Sequence, residues 1–161
     1  MIIAIACDHR GFLVKQNIVA QIRDQGHTCT DFGTDSAKPC DYPDFGLPAC
    51  QAVSQGQAER AILLDGSGIG MSIIANKLPR IRAAVCHDEL TAQISRQHND
   101  ANVLCLAADY LGAELIRRII NVWLATGFES GRHTRRLEKI NDFERKLFPG
   151  LAGDPILRDQ A

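Results

Sequence analysis

The chain reads as an α/β protein, a doubly wound sandwich on a five-stranded parallel sheet. Three observations carry that reading. Five short apolar runs alternate with segments of helical spacing. The first and third, IIAIAC and AILL, are continuously apolar, as strands buried on both faces must be. No internal repeat divides the chain, and right-handed crossovers then place helices on both sheet faces. Ligands of such folds lie beyond the carboxyl ends of the strands.

The first strand is IIAIAC at 2–7, rich in β-branched residues and closed by Asp8-His9-Arg10-Gly11. Phe12, Val14, Ile18, Val19 and Ile22 then recur at helical spacing until Gly26, a helix stop. A second strand covers 27–32, and Gly33 to Pro43 is rich in turn residues. Helical spacing returns weakly through Leu47, Ala49, Ala52 and Val53. The third strand, 61–64, runs into Asp65-Gly66-Ser67-Gly68-Ile69-Gly70, with a helix expected over 71–77. A fourth strand at 81–85 leads to a helix over 88–97 that Asp88 caps. The fifth strand is 103–106, and 111–125 is the clearest amphipathic helix of the chain. A last helix covers about 133–147. Residues 1–148 thus form one domain, and 149–161 a tail that is an arm or disordered.

Composition narrows the function. The 161 residues suit a single domain with a substantial core. Eighteen basic against nineteen acidic side chains remove the electrostatic case for nucleic acid or an acidic membrane surface. No apolar run approaches the roughly 18 residues of a membrane span. The first residues lack a basic lead-in and a small-residue cleavage site, so a cytoplasmic protein is expected. Cysteines at 7, 29, 40, 50, 86 and 105 form no CxxC pair. They read as mostly buried thiols rather than a disulfide or zinc framework.

Four features carry chemistry. Glycines at 66, 68 and 70 follow a strand and open a helix. Their backbone N–H groups can turn toward one point, to hold phosphate or a developing oxyanion, or they simply make a tight turn. A dinucleotide fingerprint would need glycine where Met71 stands, and a P-loop would need Gly-Lys-Ser/Thr. His9, beside Asp8, and His98, in Ser95-Arg96-Gln97-His98-Asn99-Asp100, are site candidates or local hydrogen-bonding groups. His27 and His87 read as structural, and without HExxH or another close ligand pair no metal site is expected. Arg132 and Arg136, four apart in the last helix, can grip one anion, or belong to a charged surface helix. Basic clamp, glycine nest, histidine and carboxylate together fit proton chemistry on a phosphorylated small molecule.

These residues also form an ordered set. Cys7 to Phe12, Asp41-Tyr42-Pro43, Gly66 to Gly70, Ala75-Asn76-Lys77, Ser95 to Asp100 and Gly131-Arg132-His133 closely resemble type B ribose-5-phosphate isomerases. Galactose- and allose-6-phosphate isomerases are related to these, and the match runs from about residue 2 to 147. The resemblance implies a three-layer Rossmann-like sandwich with a five-stranded parallel sheet and a C-terminal helix. It implies a homodimer or dimer of dimers with shared sites, and aldose–ketose isomerisation through a cis-enediolate without cofactor or metal. By the same resemblance His98 opens the sugar ring, Asp8 and Asn99 hold hydroxyls, and Tyr42 lines the site. The amides of Gly66, Ser67, Gly68, Ile69 and Gly70 stabilise the enediolate, and Ser67 helps move a proton between O1 and O2. His9, Arg132 and Arg136 hold the phosphate, the arginines reaching from the neighbouring subunit.

Two positions depart from the pattern. Asp65 stands where many members have a cysteine base, and Met71 where others have a glutamate base. Asp65 is therefore the expected base. A free thiol is the stronger base, but only about 3% of it is ionised at pH 7, whereas a carboxylate is ionised throughout; the two effects cancel to about 1 kcal/mol. Asp109 replaces an arginine that often contributes to phosphate binding in the family. These departures leave two alternatives open: an isomerase of another aldose phosphate, such as allose or galactose 6-phosphate, and a non-catalytic sugar-phosphate-binding subunit.

Overall fold

Apolar runs too short to be helices pair as strands, and the longer periodic stretches cover them. This arrangement is seen in the computed structural model, which describes residues 1–151. In chain order the elements are β1 (Ile2–Cys7), α1 (Phe12–Asp24), β2 (Thr28–Asp31), α2 (Tyr42–Ser54), β3 (Arg60–Asp65) and α3 (Ile69–Ala75). They continue with β4 (Ala83–Val85), α4 (Glu89–Asn99), β5 (Val103–Ala107), α5 (Ala113–Ala125) and α6 (Arg132–Leu147). All five strands are parallel, in the order β2-β1-β3-β5-β4. Residues Pro149–Leu151 make a single 3₁₀ turn, and the remainder of the expected tail lies outside the described residues.

Alternate strand residues feed two cores. Ile3, Ile5, Ile62, Leu64, Leu104 and Leu106 pack under α1, α4 and α5, against Ile18, Ile22, Ile116, Ile120 and Trp123. Ala4, Ala6, Ala61 and Leu63 face α2 and α3, against Cys50, Val53, Met71 and Ala75. The alanines on that second face let α2 lie close to the sheet. Four of the six cysteines are buried and two half-buried, all unpaired. Burial pushes the Cys7 and Cys50 thiols up to about 12, so both remain protonated core groups.

Most boundaries fall within two residues of the sequence expectation, and three of the differences have a clear local reason. α2 begins at Tyr42, inside the turn-rich stretch, because Pro43 is tolerated in a first helical turn. α3 runs over 69–75 rather than 71–77, since side-chain acceptors satisfy its first amides early and Asn76 closes it by bonding the Ser72 carbonyl. β4 loses residues 81 and 82 because the Asn102 side chain accepts the Arg82 amide at 2.9 Å.

The chain leaves β1 outward to β2 and crosses back to β3, so the β1–β3 seam is the switch point where ligands of such sheets bind. At the opposite, amino edge, Arg60, Arg80, Arg82 and Arg96 line a cavity of about 360 Å³. Arg60 donates to the carbonyls of Trp123 and Leu124, Arg80 to Ser54, and Arg82 to Asn99. These carbonyls end α5, α2 and α4, so the arginines cap helices that lack partners of their own there. Burial, then the Arg96 charge, brings Arg60 down to about 10.

Candidate active site

The carboxyl edge gathers the first group of expected residues. β1 and β3 pair with Cys7 opposite Leu64, and the Asp8 amide donates to the Leu64 carbonyl at 3.2 Å. Asp8 and Asp65 therefore sit side by side where the two strands end. Asp65, 4% exposed, faces the glycine loop. Its Oδ1 accepts from the Ser67 amide at 2.8 Å and from the Gly68 amide, and its Oδ2 accepts from the Met71 amide at 2.9 Å. One side chain thus satisfies donors at the start of α3, whose Gly68 cap has a left-handed φ of 78°. The Ser67 Oγ takes the Ile69 amide at 3.2 Å. Among the described residues the Gly66 and Gly70 amides have no such partner and are the loop donors left for a ligand. Position 70 must be glycine, because a Cβ there would stand 2.9 Å from both Asp65 Oδ2 and the Tyr42 ring. Tyr42 consequently lines the same space as Asp65.

Asp8 is also buried, but it is held differently. Its Oδ1 accepts from the Arg10 amide at 2.8 Å and from the Gly11 amide at 3.4 Å. Burial raises the Asp8 carboxyl above the usual carboxylate range, the two amides and His9 lower it, and the Asp65 charge adds to the rise. His9 is fixed by Cys40, whose amide lies 3.3 Å and whose carbonyl lies 3.2 Å from Nδ1.

His98, Asn99, Arg132 and Arg136 do not join this group within one chain. α4 runs against the strands, so His98 and Asn99 at its last turn lie at the amino edge. The six-residue β3 separates the edges by about 20 Å. The His98 ring stacks on His133 with centroids 4.2 Å apart and planes 8° from parallel. Glu129 Oε2 lies 3.6 Å from His98 Nε2 and 4.0 Å from His133 Nε2. Arg132 Nε donates to His133 Nε2 at 3.3 Å, and Arg136 follows one turn later. Burial, then the charges of His98, Arg132 and Arg136, hold the His133 imidazole below its usual value against the pull of Glu129.

His133 and Glu129 are not among the site residues expected from the sequence. Their spacing of four, interleaved with that of the arginine pair, is the signal that points to them. With His98 they bring three possible metal-ligand atoms within 4.8 Å of one another. A metal lies in the plane of the imidazole that binds it, and two stacked, near-parallel rings share no such point. One ring must turn before the trio can chelate.

Two groups thus stand at opposite strand ends, one acidic with a glycine loop and one basic with stacked histidines. The ribose/galactose isomerase family matches residues 3–140 of this sequence. The chain belongs to that family. It is 43% identical over 144 residues to ribose-5-phosphate isomerase B of Escherichia coli K12, covering 89% of this chain and 97% of the relative. It is 40% identical over 145 residues to D-erythrulose-4-phosphate isomerase of Pectobacterium atrosepticum, covering 89% and 95%. The solved structure of ribose-5-phosphate isomerase B from Clostridium thermocellum superposes with a TM-score of 0.88 at 44% identity, covering 91% of this chain and 99% of that one. The family fold is thus the three-layer sandwich described above.

Proposed function

We propose that this chain interconverts ribose 5-phosphate and ribulose 5-phosphate through a cis-enediolate, without a cofactor. The observation that carries the reading is the pairing of Asp8 and Asp65 beside the glycine loop, in a member of the ribose/galactose isomerase family. A carboxylate beside C2 and an amide donor at the developing oxyanion are the parts an aldose–ketose shift requires.

The separation of the two groups supports a homodimer, alone or doubled as a dimer of dimers. A two-fold axis brings Asp8, His9, Tyr42, Asp65 and the 66–70 loop of one protomer against the partner subunit's His98, Asn99, Arg132 and Arg136, and generates two equal sites. The acidic edge then meets the basic one. Ile140, Phe143 and Leu147 stand exposed along one side of α6 and offer apolar area for the same contact.

A second reading, an isomerase of another aldose phosphate, is favoured by Asp109, which places an acid where a phosphate-binding cation would serve. Allose 6-phosphate, galactose 6-phosphate and erythrulose 4-phosphate are the sugars to compare. The test is a panel of phosphorylated aldoses and ketoses, with and without chelator. Fastest turnover of the ribose 5-phosphate pair is expected, unchanged by chelator. Preference for another sugar selects the second reading, and binding without turnover of any makes the chain a non-catalytic subunit.

A further inference from the structure

The two carboxylates at the β1–β3 seam are not equivalent. Each oxygen of Asp65 faces amide donors, three in all, from Ser67, Gly68 and Met71. A proton taken up there would weaken the hold of a carboxylate that organises the start of α3. Asp8 uses only Oδ1, toward Arg10 and Gly11, and among the described residues its Oδ2 accepts nothing. Although the Asp8 side chain is nearly buried, that oxygen is free to meet a ligand.

We propose that Asp8, rather than Asp65, takes the proton from C2 of the opened aldose, while Asp65 holds the glycine loop. The inference rests on the isomerase reading above. In the step, an O–H bond forms on Asp8 Oδ2 as the C2–H bond breaks. The C–H electron pair becomes the C1=C2 bond, and the carbonyl π pair moves to O1. The O2–H proton passes to O1 as the C2 carbonyl forms, and Asp8 returns its proton to C1. No oxidant or further reactant is needed. The surroundings of Asp8 suit this proton transfer. Burial, and in smaller part the Asp65 charge, raise its carboxyl above the ordinary value against the Arg10 and Gly11 amides and His9, which makes it a stronger base than a free carboxylate.

The test uses the full-length homo-oligomer and deuterium exchange from solvent into the sugar during turnover. Asp8→Asn keeps an acceptor for both amides, so the turn after β1 persists. It is expected to lose about 100-fold or more in kcat and in exchange, with KM changed far less. In Asp8→Ala, added formate is expected to restore exchange, because a small carboxylate can enter the space left. The same formate is expected to leave Asp65→Ala unrescued, since that variant lacks a loop anchor rather than a base. Exchange persisting in Asp8→Asn, or formate rescuing Asp65→Ala and not Asp8→Ala, overturns the assignment. Wild-type protein that converts no sugar phosphate overturns the isomerase reading and this inference with it.

Discussion

Arg10 grips Asp109 across the mouth of the glycine loop, with Nε 2.9 Å from both carboxylate oxygens and Nη2 2.6 Å from Oδ2. The bridge ties the turn after β1 to the turn after β5 over β3, and it neutralises an arginine of this edge that could meet a phosphate. Asp109→Ala frees Arg10 and is expected to lower KM for sugar phosphate by about tenfold, the scale of one added charge-assisted hydrogen bond. A Cβ at position 66 would stand 2.8 Å from Asp109 Oδ2, so Gly66→Ala displaces that carboxylate and disturbs the same bridge. The two substitutions should then fail to add in KM, which steady-state kinetics of the double variant will measure.

A site divided between protomers can be tested by mixing cripples. Asp8→Asn and His98→Asn homodimers are each expected to be inactive, because both of their sites lack one part. Mixed dimers hold one intact site, made from the undamaged edge of each chain. Random reassembly of equal amounts should restore about a quarter of wild-type activity. No recovery after subunit exchange, verified by mass spectrometry, would show that each chain builds its own site.

His133 makes the fold sensitive to acid. Burial and its cationic neighbours disfavour the charged imidazole in the folded state, so its folded value lies below the ordinary 6.5. Its contribution to stability is complete above that ordinary value and is lost as pH falls through the folded one. His133→Phe keeps a ring for His98 to stack on and removes the proton. The urea midpoint of the variant should fall less than that of wild type between about pH 7.5 and about pH 5.5.

Asp8 acts on stability in the opposite sense. Its raised carboxyl favours the protonated folded form, so its contribution is present below the ordinary value of 3.8 and lost as pH rises through the folded one. Asp8→Asn removes that loss while retaining an acceptor for Arg10 and Gly11. The variant should melt higher than wild type at neutral pH even as it loses activity, as calorimetry can determine.

The strands are legible because buried parallel strands are continuously apolar, and IIAIAC at β1 and AILL within β3 have no other use. The start of α2 is not, since Pro43 serves equally in a turn or in a first helical turn. Site residues can be read as types, but not their partition between two edges, which depends on strand direction and on where each flanking turn falls. Arg10 and Asp109 are 99 positions apart, and His98 meets His133 across β5 and α5. No local spacing encodes either pair. The amides that hold Asp65 are equally silent, because backbone donors leave no mark in a residue pattern.

Arg60, Arg80 and Arg82 quench the negative ends of α5, α2 and α4, and at the other edge Asp44, Asp88, Glu89 and Glu114 stand at the positive ends of the same helices. Helix capping thus sorts charge by sign, cations to the amino edge and acids to the carboxyl edge, although the formal charge is only −1. Asp8, Asp65 and Asp109 add to the acidic edge. The charge separation that closes the helices also favours edge-to-edge association of two copies, the arrangement proposed above.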